Sequence, residues 1–151
     1  MLNVEQRQRD AGSKTANPRA HWPEALQREF EEGEYSGVVG TVLVSETDTM
    51  RIWHLSLPAG KRCGFHRHVN DYFWTVHTAG KARGYSGDGR VVDVTHYPGE
   101  TKHFHFEKGE HFVHSVENIG DTDLLFTTVE FIDGANEPLA VPDEVRLKHP
   151  A

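Results

Sequence analysis

The chain has 151 residues, enough for one domain with a sizeable core, and sets 16 Lys and Arg against 23 Asp and Glu, a formal charge of −7. That balance, with no basic stripe, argues against a nucleic-acid binder, whose phosphate contacts need clustered cations. One cysteine excludes an internal disulfide, no apolar run approaches the ~20 residues of a membrane span, and the opening residues lack the apolar stretch of a signal peptide, so the expected location is the cytoplasm.

Residues 1–20 are polar and read as a flexible N-terminal segment. A short helix is expected over 22–33: Pro23 suits a first turn, Gly33 suits the stop, and Trp22, Leu26 and Phe30 recur at four-residue spacing, a stripe for packing on the outside of a sheet. From there the pattern is β. Strands are expected over Val38–Val44, Met50–Leu57, Gly64–Val69, Tyr72–His77, Lys81–Tyr85, Val91–His96, Lys102–Phe106, His111–Glu117 and Leu124–Ile132. Turn signals separate them, among them Ser86-Gly-Asp-Gly, Tyr97-Pro-Gly-Glu and Glu107-Lys-Gly-Glu. Short strands in such succession, with no helix–strand alternation, indicate an antiparallel sandwich or barrel over 21–132. Residues 133–151, with Pro138, Pro142 and Pro150, form an irregular tail suited to covering a barrel edge or crossing to a partner subunit.

The chemistry concentrates in the 11 histidines. His66 and His68 form a His-x-His pair, and on a strand both imidazoles then share a face, because side chains alternate with period two. His114 on a later strand supplies a third nitrogen. Neutral imidazole suits iron, zinc, copper and nickel.

With five residues between Gly60 and His66-Arg-His68, Gly80 after it, and Gly109, His114 and Asn118 followed by Ile-Gly-Asp, the chain resembles the cupin superfamily in its small single-domain form, over roughly residues 36–132. The stretch His66-Arg-His-Val-Asn-Asp-Tyr72 also looks like small bacterial cupins with His-Arg-His-x-x-Asp-Tyr, including those named for β-alanine degradation. The resemblance implies an all-β double-stranded β-helix, a jelly-roll-like barrel, and a homodimer. It also implies one divalent transition metal per chain on His66, His68 and His114, with Fe2+ favoured and Zn2+, Mn2+ or Ni2+ as alternatives.

The family pattern places a glutamate after His68 with three or four residues between, and the position with four between is Phe73, which cannot coordinate a metal. Either Asp71, of the same strand parity, supplies an oxygen, or the site is three histidines and water. In the second case the metal's charge is less compensated and favours an anionic or chelating substrate. His77 shares that parity and is, with Asp71, the candidate for moving protons; the competing readings are a core histidine and a turn former. Parity places His111 opposite His114, and Phe104 and Phe106 in the core with His103 and His105 outward. Asn118 reads as a strand-end hydrogen-bonder. Arg62, Arg67 and Arg83 are candidate carboxylate clamps or ordinary surface charge. Cys63 is conceivable as a thiolate because Lys61 and Arg62 would depress its pKa, but a lone cysteine without a base is more often structural.

The expected function is a metalloenzyme acting on a small organic molecule, first of all a non-haem iron dioxygenase. The alternatives are a Lewis-acid isomerase, lyase or hydrolase, and a small-molecule-binding cupin without catalysis.

Overall fold

The computed structural model describes residues 17–148. The expected flexible segment therefore falls almost wholly outside the described residues, as does the end of the tail. Among the described residues, one α-helix, α1 (Glu24–Gly33), precedes nine strands: β1 (Val42–Glu46), β2 (Met50–Leu57), β3 (Arg62–His68), β4 (Asp71–Val76), β5 (Gly80–Ser86), β6 (Val91–His96), β7 (Thr101–Phe104), β8 (Phe112–Asn118) and β9 (Leu124–Phe131). They form two antiparallel sheets, a five-stranded one ordered β1-β2-β9-β4-β7 and a four-stranded one ordered β3-β8-β5-β6.

Period-two alternation sorts the side chains. In the larger sheet, β2 buries Arg51, Trp53, Leu55 and Leu57, β4 buries Tyr72 and Val76, and β9 buries Leu124, Phe126, Thr128 and Glu130. Leu55, Leu57, Val76, Ala82, Leu124 and Phe126 close one end of the interior, and Tyr72, Phe104, Phe106 and Phe112 line the other. The β-branched run begins later than expected: Val38–Thr41 is not a strand, and Val39 packs against Trp53 instead. Strand ends elsewhere move by a residue or two, as is usual at boundaries.

Helix α1 lies on the outer face of the smaller sheet. Trp22 and Phe30 pack with Phe65 and Val113, and the Trp22 ring stacks on Phe65 at 5.5 Å. Gly33 is there for close approach and not for a left-handed stop. It has no positive φ, and a Cβ at that position would sit 2.2 Å from the Phe65 carbonyl oxygen. The turn glycines behave as their type requires: Gly89 and Gly99 have φ of +91° and +88°, a region costly for other residues.

The tail crosses the edge of the larger sheet. Arg51 donates to the Leu139 carbonyl at 2.8 Å, Leu147 N–H donates to Leu43, and Arg146 pairs with Glu46. Within the described residues the tail therefore caps an edge of its own subunit, the first of the two roles expected for it. No helix of the described residues is long and apolar enough to cross a membrane.

Candidate metal centre

A bulge in β3 sets the site. Cys63 pairs with Val116 and His66 with His114, so two residues on β3, Gly64 and Phe65, face one on β8, Ser115. The extra residue reverses the alternation. Cys63, His66 and His68 then point inward, while Phe65 points out to α1. The bulge also turns the Gly64 carbonyl onto His66 Nδ1 at 3.0 Å, so Nδ1–H donates there and Nε2 is left as the electron-pair donor.

His66, His68 and His114 form one group whose ligand atoms all lie within 4.8 Å of one another. The Nε2 atoms of His68 and His114 are 3.2 Å apart, close to the ~3 Å between neighbouring ligands of a metal bound at about 2.1 Å. The His68 ring stacks flat on Tyr72 at 3.8 Å. Burial holds the His66 imidazole down to about 4. It holds His68 and His114 well below their ordinary value as well, helped by the other imidazoles and, at His114, by the Lys102 ammonium. All three are neutral at pH 7, the state a metal requires. His68 Nδ1 is buried with no hydrogen-bond partner, a costly arrangement for a core built for stability alone. The donor set therefore fits a divalent transition metal, with three neutral nitrogens on one side and open positions on the other.

The open side is a cavity of about 350 Å³ between the two sheets. Its walls are largely apolar, including Trp74, Phe104, Phe112 and Phe126. The charged and titratable side chains that line it beyond the triad are Tyr72, Arg90, His96, Glu100 and Lys102.

Several sequence expectations are corrected here. Phe73 does not face the metal: its ring packs outside against His103 and Phe131. The residue beside His68 on the inner face is Tyr72, which satisfies the three-residue count. Asp71 also points away. Its carboxylate accepts from Phe106 N–H at 2.8 Å and pairs with His105 at 2.9 Å, so it ties β4 to the end of β7 and is not a ligand. His77 lies just past β4, exposed, with Nε2 2.8 Å from Thr127 Oγ1, outside the cavity. The three arginines weighed as carboxylate clamps against ordinary surface charge are engaged outside the cavity. Arg62 pairs with Glu29 and Glu117, Arg67 donates to the Glu34 carbonyl, and Arg83 grips Asp93. Burial pushes the Cys63 thiol up to about 11, which accords with the structural reading of this cysteine and not with the thiolate alternative.

Other readings stand. Phe104 and Phe106 are buried, His105 points out to Asp71, and His111 lies outside the triad. Asn118 donates to the Leu57 and Thr122 carbonyls, the strand-end role expected of it. What sequence reasoning missed is the second polar cluster, His96 with Glu100. In β6, Val91-Val-Asp-Val-Thr-His96, one face carries Val91, Asp93 and Thr95 and the other Val92, Val94 and His96, so His96 is a polar residue on the more apolar face, and no spacing to another histidine marks it.

Fold and site together define a cupin-type double-stranded β-helix carrying three histidines that could hold a metal. The chain is similar to a cupin domain from Bordetella pertussis Tohama I, with 25% identity, 64% of this chain and 95% of that chain covered, and a TM-score of 0.52. It is also similar to a conserved protein with a double-stranded β-helix domain from Klebsiella pneumoniae, with 25% identity, 66% and 82% covered, and a TM-score of 0.50. No family model and no curated protein matches the sequence.

Proposed function

We propose that this protein is a mononuclear metalloenzyme acting on a small organic molecule in the cytoplasm as a homodimer, with non-haem iron dioxygenation as the leading chemistry. The observation that carries the reading is the convergence of three neutral imidazoles, two buried and one partly buried, on the inner wall of a cavity of about 350 Å³. His66, His68 and His114 would hold the metal; when bound it would supply Lewis acidity and, if iron, a site for oxygen beside the substrate. The chain's own groups do the rest. The aromatic walls exclude water from an apolar substrate segment. Gly64 fixes the ring of His66, and Tyr72 fixes that of His68. With no carboxylate among the ligands, the site favours an anionic chelating substrate.

The test is metal content per chain in protein purified without chelator or added metal, followed by oxygen uptake with diketones, catechols and hydroxy acids. About one iron per chain with metal-dependent oxygen uptake is expected. One zinc, manganese or nickel, with turnover that needs no oxygen, would move the assignment to Lewis-acid isomerase, lyase or hydrolase chemistry. Failure to retain or take up any metal would overturn both.

A further inference from the structure

His77 and Asp71 leave the proton-handling role vacant by pointing away from the cavity, and a different pair lines it. His96 is the last residue of β6, on the inward parity of Val92 and Val94, and is only 7% exposed. Its Nδ1 lies 2.7 Å from Glu100 Oε1. The Tyr97-Pro-Gly-Glu turn, closed by Gly99 in the left-handed region, brings Glu100 back over the strand end. Trp74 and Phe126 hold the ring edge-on at 5.4 and 5.3 Å.

A carboxylate on one ring nitrogen fixes the tautomer: Nδ1–H donates to Glu100, and Nε2 keeps its lone pair. Nε2 makes no hydrogen bond to any described residue. An imidazole placed only to tie a turn has no need of an inward, unengaged acceptor. The other titratable or charged groups lining the cavity are the three metal-site histidines, Tyr72, Lys102 and Arg90. Lys102 comes from β7 and Arg90 from the β5–β6 turn, on opposite sheets, and neither has an ion-pair partner among the described residues.

We propose that His96, oriented by Glu100, is the proton acceptor of this cavity, and that its substrate class is the 2-oxo carboxylates with an enolisable C3–H. The inference rests on the metal-centre reading above. The carboxylate and keto oxygens suit a three-histidine metal, and Lys102 and Arg90 suit the negative charge. In the step itself the C3–H bond breaks, its proton goes to His96 Nε2, and the electron pair moves onto the keto oxygen as an enolate. Return of a proton to C3 restores the starting acid, so no oxidant or reductant is consumed.

The experiment uses zinc-loaded protein with pyruvate and 2-oxopentanoate in D2O, following loss of the C3 proton signal by NMR. Metal per chain and ring-nitrogen NMR are recorded on the same samples. Wild type should exchange C3 hydrogen above the buffer rate, and His96→Gln should retain zinc but lose roughly 100-fold or more of the exchange, the usual loss for a general base. Glu100→Gln keeps the imidazole and should show a mixed tautomer with an intermediate rate. Zinc-loaded wild type that does not exchange, exchange that survives His96→Gln, or a His96 proton found on Nε2 would each overturn the proposal. Protein that holds no zinc strikes the metal centre instead, and the separate metal reading tells the two failures apart.

Discussion

Glu130 faces inward from β9, 3% exposed, between Arg51 on β2 and Tyr72 on β4. Trp53 Nε1 donates to it at 2.7 Å, yet burial outweighs that bond and the nearby Arg51 and pushes the carboxyl up to about 7 from its ordinary 4.5. A carboxyl raised by folding binds its proton more tightly in the native state, so its favourable contribution is present at acid pH and is lost as pH rises from about 4.5 to about 7. The difference corresponds to about 3 kcal/mol. Glu130→Gln keeps an acceptor for Trp53 and cannot ionise. Urea unfolding should therefore show the variant equal to wild type near pH 4 and more stable above pH 7, by up to about 3 kcal/mol. Equal stability at both pH values would show that Glu130 ionises in the folded protein as readily as in the unfolded chain.

At the same scale, His66→Ala and His114→Ala should each bring bound metal well below one per chain, because each removes one of only three nitrogen donors. Cys63→Ala should leave metal content at the wild-type level, since the thiol is held protonated. Elemental analysis of the three variants checks both statements.

At the scale of elements, the α1–β3 contact supports the metal site from outside. Phe65 and His66 are neighbours on opposite faces of β3, so the Trp22, Phe30 and Phe65 cluster fixes the strand whose inner face carries two ligands. Arg62 adds a paired contact to Glu29 of the helix at 2.8 Å. Gly33 sets how near the helix comes. In Gly33→Ala the new methyl would meet backbone, which cannot rotate away, so the helix must shift. Such overpacking costs typically ~1–3 kcal/mol. Thermal unfolding should show that loss against the few tenths expected for an exposed helix position such as Glu31→Ala; an unchanged Tm would mean that helix and strand are farther apart than described.

At the scale of the whole molecule, the two sheets end in unlike edges. The tail covers one edge of the larger sheet, whereas β6 ends the smaller sheet with no further strand beside it among the described residues and with Val91, on its outer face, 44% exposed. It carries no proline, lysine or bulge, the usual protections of a free edge. Antiparallel pairing of β6 with a second copy would cover it and accounts for the proposed homodimer. Light scattering should give about twice the 17.1 kDa chain mass, and Val91→Lys should shift it toward the single chain. A wild-type mass of one chain would discard the dimer.

Sequence alone determined the all-β class, the helix on the outer face, the turns and the triad. Each of these is carried by local chemistry: glycines where φ must be positive, apolar residues at four-residue spacing, and a His-x-His pair that alternation places on one face wherever the strand lies. What period-two counting could not reach depends on register, which one inserted residue inverts. The bulge between Cys63 and His66 aimed the triad inward, and the side of β4 that faces the interior made Tyr72 the neighbour of His68 while sending Asp71, Phe73 and His77 out of the cavity. His96 and Glu100 were illegible for a related reason. His96 ends an edge strand and Glu100 lies in the turn after it, and only the closure of the two sheets decides that this strand end lines a cavity.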